Sequence, residues 1–331
     1  MTSAPDPSPS TAGGTRVRLP WGTVITGAFV VTLLRPVSWA LGLAGFLAGG
    51  GIVLVAWPIL VLPTPTGLQN ALGGPVSSLV FGDPSPTLVA LIVAGVAASL
   101  LLLLAGTLAG AWAERQGIAV ALEAAGDDGL GLPAADLDGA PGAWRVAVVR
   151  LLGLAPVVIV ASLAWGPFYD ATYRQLVLPQ DLVTPLPLRI LGDVPWLVLA
   201  VAAVWLLSDA AAAVGVRRLV LEREPVLAAW LMGWGDLVRR PQRIIPTAMV
   251  GAAVLLLLVA PAMVAAAAGW SRVRDILVGG RDPIIIAGAV AIWVAIWLGG
   301  LVLAGVGAAA RAAAWTLEMP MRRTGPASSP D

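Results

Sequence analysis

Cysteine and histidine are absent from the 331 residues, and all 20 basic positions are arginine, so lysine is absent too. These gaps remove whole chemistries. Without Cys or His there is no thiol nucleophile, no ordinary zinc or haem ligand set and no imidazole base. Without Lys there is no phosphate-loop lysine and no Schiff base. Proton transfer or nucleophilic attack falls to Asp, Glu, Ser, Thr, Tyr or Arg. With no thiol to oxidise, the chain carries no mark of its redox compartment. Charge is scarce as well, at 12% of residues, where a soluble domain carries about 25%. The formal net charge of +1 gives no general attraction for nucleic acid. No nucleic-acid partner, metal or other cofactor is expected.

What fills the chain is apolar: 58% of residues are hydrophobic. Runs of about 20 such residues recur, each long enough at about 1.5 Å per residue to cross a hydrocarbon core of about 30 Å. The expected fold class is an all-α integral membrane protein with six transmembrane helices. The spans are read at about 38–62, 87–111, 146–166, 194–214, 244–269 and 284–310 of a single membrane domain, 16–319. A Pro, Ser and Gly rich stretch at 1–15 is read as a disordered tail, since it cannot repay ordering entropy. It is not read as a signal peptide. Residues 320–331 are read as a second, short tail.

Segment 21–36 is apolar but too short to span before Arg35 and Pro36, so it reads as an interfacial helix ending at that dipeptide. In the first span Gly45 and Gly49 stand four apart, as do Gly106 and Gly110 in the second, and such small faces let helices approach. Pro246 and Pro261 are expected to bend the fifth span or to open its backbone. In 226–240, Val226, Leu227, Trp230, Leu231, Trp234, Leu237 and Val238 recur at helical spacing, with Asp236, Arg239 and Arg240 off that stripe. This predicts a membrane-surface helix, with a docking site for a cytoplasmic protein as the second reading.

Two motif fragments fall in the acidic stretch 126–142. GLGLPA matches a dinucleotide fingerprint, but no strand precedes it and Pro133 interrupts it. Asp136, Asp138 and Gly139 follow a calcium loop, but the twelfth position is Ala147. A solvated loop accounts for both. Beyond the third span, Tyr169 with Tyr173 and Asp170 with Arg174 fit a short amphipathic turn.

The arginines set the orientation. On the N-terminal side fall Arg16, Arg18, Arg35, Arg115, Arg145, Arg150, Arg217, Arg218, Arg223, Arg239, Arg240, Arg243, Arg311, Arg322 and Arg323. Only Arg174, Arg189, Arg272, Arg274 and Arg281 lie opposite, so 15 of 20 share one side. The positive-inside rule then expects both termini in the cytoplasm, in a multi-pass protein of the cytoplasmic membrane. Short echoes point to three two-helix hairpin repeats: LLRP (33–36) with VRRP (238–241), and VALE (120–123) with LVLE (219–222) and WTLE (315–318).

With its interfacial helix ending in Arg35-Pro36, its Ala-rich exit into RRLVLERE and its amphipathic segment ending in Arg240-Pro241, the chain resembles prokaryotic six-span proteins labelled glycerophosphoryl diester phosphodiesterase membrane-domain proteins. The resemblance covers about residues 20–320. It implies the membrane part alone, because a soluble phosphodiesterase barrel needs far more polar sequence.

Asp209 is the leading candidate residue. It lies about 13 residues past Trp196, about 20 Å into the core, where an ionised carboxylate needs a partner, water or a proton. Arg311 on the sixth span is its best partner, and Arg217 leans back towards it from two turns further along. Arg217, Arg218, Arg239 and Arg240 are candidate contacts for anionic lipid headgroups. The expected function is a non-enzymatic component that interacts with membrane lipids or organises a membrane or cytoplasmic protein partner. A transporter or permease subunit with Asp209 in a polar pathway is the alternative. A lipid-acting enzyme ranks third, since it needs paired carboxylates in one cavity.

Overall fold

A computed structural model describes residues 16–56, 85–127, 139–177, 186–280, 282–319 and 321–322. The two tails at 1–15 and 323–331, Trp57, most of the 63–86 loop, GLGLPA, Asp136, Asp138 and Arg281 lie outside the described residues.

Prolines set most helix starts. The helices are α1 (Trp21–Leu34), α2 (Pro36–Phe46), α3 (Ile52–Ala56), α4 (Pro86–Asp127), α5 (Ala143–Val177), α6 (Leu186–Asp193), α7 (Pro195–Leu221), α8 (Val226–Arg239), α9 (Pro241–Val278) and α10 (Pro283–Glu318). Five of them open on proline, whose missing N–H is no loss in a first turn and whose fixed φ already suits a helix. Arg35 and Arg240, just before two of these prolines, are pushed out of helical geometry at φ −120° and −140°. Interior prolines do not break the spans. Pro156 and Pro167 sit inside α5, and Pro246 and Pro261 inside α9.

Six segments are long and apolar enough to cross a membrane: Pro36–Ala56, Pro86–Asp127, Ala143–Gln175, Pro195–Leu221, Pro241–Val278 and Pro283–Glu318. The protein is an all-α membrane protein of six spans. Most helices overrun the apolar stretch that defines them. The 42-residue α4 is about 63 Å long, so it continues past the bilayer as one rod through Glu123 to Asp127. The turn expected at 169–174 is likewise helical, as part of α5, and Arg272, Arg274 and Asp275 ride on the last turns of α9.

The first span departs from a plain helix. A wide π turn at Leu47–Gly51 joins α2 to α3, and Gly50 takes φ 98°, which a side chain would resist. Gly45 and Gly49 meet nothing and are not a packing face. Gly106 and Gly110 of α4 lie against Ala48 instead, and Gly42 fits against Gly305 and Ala309 of α10. Consecutive spans pair as α2 with α4, α5 with α7 and α9 with α10, while α10 also packs along α2, and α4 along α5. Helix α1 crosses the end of α10, and α8 crosses the end of α7. β1 (Arg16–Val17) pairs antiparallel with β2 (Met321–Arg322), so both ends of the described chain meet there.

Candidate functional site

Small residues bring the middle helices close enough for arginine and carboxylate side chains to meet inside the bundle. Ala210–Ala213 of α7 are all buried. A Cβ on Gly153 of α5 would stand 2.7 Å from that of Ala212. The stem of Arg311 lies over Gly251 of α9, where a Cβ would stand 2.8 Å from its Cγ.

Five charges converge there. Arg150 of α5 grips Glu114 of α4 with both arms of its fork, Nε to Oε2 at 2.7 Å and Nη2 to Oε1 at 2.5 Å. Its Nη1 donates to Asp209 Oδ1 of α7 at 3.0 Å. Arg311 of α10 pairs with the other oxygen of Asp209 through Nη2. Arg217 of α7 pairs with Glu114 and donates to the carbonyls of Ala213 at 3.2 Å and Ala312 at 3.1 Å. Ala312 adjoins Arg311, so the chain of contacts closes into a ring over four helices.

Its depth can be read from tryptophans. Trp144 and Trp165 on α5 are exposed and stand about 31 Å apart at 1.5 Å per residue, the thickness of a hydrocarbon core. Arg150 is six residues inward of Trp144, about 9 Å. The ring thus lies in the third of the membrane nearest α1 and α8. Each carboxylate is bracketed by two guanidiniums, which is what makes ionised groups tolerable at that depth. Arg217 Nε and Ser208 Oγ are buried beside it without partners.

The structure brings Asp209 and Arg311 together and adds Arg150 to Asp209. Arg217 is not aimed at Asp209. Glu114, which falls beyond the second span as read at 87–111, and Arg150, at the start of the third and counted among the N-terminal-side arginines, are the ring's other half. The spacing of Trp144 and Trp165 is the signal that could have placed Arg150 inside.

The proposed headgroup arginines divide. Arg217 is 1% exposed, so its guanidinium faces the ring and contacts no headgroup. Arg218 is also committed: Nε and Nη2 reach Asp236 Oδ2 at 2.8 and 2.6 Å, and Nη1 reaches Glu222 at 2.7 Å. It pins α8 to α7. Arg239 is exposed and Arg240 partly so. On α8 the packing face is Ala229, Gly233, Asp236 and Leu237, not the whole apolar stripe. Leu227, Leu231 and Val238 of that stripe are 58%, 54% and 77% exposed, as a helix lying on a bilayer requires. The glutamates of the three sequence echoes each meet an arginine: Glu123 with Arg35, Glu222 with Arg218, and Glu318 with Arg243.

A second feature lies towards the other end. Between α5 and α7 runs an open groove of about 420 Å³, lined by Ala161, Ala164, Trp165, Phe168, Val194, Leu197, Val198, Val201, Ala202 and Trp205. None of these carries a charge or a hydroxyl. Among the described residues no group of His, Cys, Asp and Glu could hold a metal ion. No protein-family model matches this chain, and no match to it emerged among curated proteins or solved structures.

Proposed function

We propose that this protein is a non-enzymatic, lipid-interacting component of the cytoplasmic membrane, with the α1 and α8 end facing the cytoplasm. The observation that carries this reading is the open α5–α7 groove, whose lining carries no charge or hydroxyl. Its volume falls within the range of about 300–1,000 Å³ usual for small-molecule clefts, and its surroundings in a bilayer are acyl chains. The exposed apolar face of α8 beside Arg239 and Arg240 supports the same reading at the cytoplasmic surface. The membrane half of the glycerophosphoryl diester phosphodiesterase proteins remains the family this proposal compares it with.

A test is native mass spectrometry of the protein extracted gently from its own membrane. Lipid retained at a fixed ratio supports the proposal, and a bare monomer contradicts it. A second reading, a transporter or permease subunit, draws on one observation: the ring holds three guanidiniums against two carboxylates, Glu114 and Asp209. Asp209→Asn in proteoliposomes separates the two. Loss of a transport current with the fold intact favours the transporter.

A further inference from the structure

The groove ends at α6, and what stands there is polar. Ile190 of α6 packs with Ala164, Ala171, Val194 and Leu197 in one buried cluster, and Ala164, Val194 and Leu197 also line the groove. Helix α6 is therefore built onto the groove's end wall. The residue before Ile190 is Arg189. Its Nη1 donates a long 3.4 Å bond to the neutral amide oxygen of Gln175, and its Nε is buried with no acceptor. Asp193, one turn along α6, accepts from Gln175 Nε2 through Oδ2 at 2.8 Å and forms no ion pair with Arg189. Among the described residues Arg189 has no carboxylate partner.

A guanidinium that forms no ion pair among the described residues, at the end of an apolar groove, complements an amphiphile with an anionic head. In a bilayer the tail of such a molecule gains little by moving from lipid into the groove, since both are apolar. Selection must then come from the head, and a guanidinium binds phosphate oxygens through charge-assisted, paired hydrogen bonds.

We propose that the α5–α7 groove holds one phospholipid from the leaflet on the α6 side, its acyl chain along Trp165, Phe168 and Trp205 and its phosphate on Arg189. This rests on the lipid-interacting reading above and adds a leaflet, a headgroup class and a residue to it.

The test uses the full-length protein, delipidated in detergent and presented in native mass spectrometry with phosphatidylglycerol, with diacylglycerol of the same tails, or with inorganic phosphate alone. One phosphatidylglycerol is expected per protein, with diacylglycerol retained about tenfold less. Arg189→Gln should lower phosphatidylglycerol retention by about tenfold, and Arg189→Lys should restore part of it. Ala161→Trp with Ala202→Trp, both on exposed groove walls, should remove the lipid while Arg189 stays. These variants fill space outside the buried cluster, so circular dichroism and gel filtration should be unchanged. Equal retention of phosphatidylglycerol and diacylglycerol, or an Arg189→Gln protein that binds as before, overturns the site and leaves the broader lipid reading standing. Retention of neither lipid sinks that broader reading as well. Inorganic phosphate bound as tightly as phosphatidylglycerol assigns Arg189 to a free anion and overturns the lipid site.

Discussion

The two ends of this bundle are built on different principles. Towards α1 and α8, helices meet through alanine and glycine faces and through ion pairs that cross from one span to the next. Towards the opposite end α4 is exposed on every face from Val89 to Ala105, and α5 and α7 part to leave the groove, while α9 and α10 stay packed through Ala266 and Trp293. In lipid, apolar side chains gain nothing by leaving lipid for protein, so helices associate only where close packing or polar contacts reward it. The comparison shows where this chain spends its few charges. The ion pairs that cross between spans are concentrated at one end.

The sharpest way to break that contrast is to remove the carboxylate at the ring's centre. Glu114→Gln leaves Arg150 and Arg217 facing each other with no shared counter-charge, and should destabilise the protein by about 3–5 kcal/mol, read as a fall in unfolding temperature in detergent. Gly233→Leu comes next. Gly233 already lies against the Ala211 carbonyl, so a side chain there should lift α8 from α7 and cost about 1–3 kcal/mol, with faster proteolysis between residues 222 and 240 as a second readout. At the other end the effect should vanish. Leu102→Ala on bare α4, where Leu102 is 74% exposed, should change stability by less than about 0.5 kcal/mol. A loss there as large as at Gly233 would mean that α4 is packed against a partner.

Much of the fold was legible because a bilayer admits few solutions: apolar length gives the spans, and proline gives the helix starts. The break at Arg35 followed from Pro36 in the same way. The π turn at Leu47–Gly51 was not legible, since a run of three glycines permits a wide turn without requiring one. The site was half legible. An Asp at the depth of Asp209 needs a counter-charge, but sequence alone does not say that α5 turns Arg150 towards it. Glu114 stayed hidden for a different reason. Helix α4 leaves the membrane with no cap or proline to mark the exit, so nothing in AWAERQ separates an outer glutamate from an inner one. Arg217 and Arg218 are adjacent and look alike, yet successive helix positions face directions about 100° apart, which sends one to Glu114 and the other to Asp236.

The central claim is that the intramembrane charges act as the frame of the bundle. A double-mutant cycle on Asp209→Asn and Arg311→Gln, scored by unfolding free energy in detergent, tests it most directly. The account predicts a favourable coupling of about 1–3 kcal/mol, with the double variant more stable than the two single changes sum to. Additive changes within about 0.5 kcal/mol would contradict it, because the pair would then contribute nothing to holding α7 and α10 together.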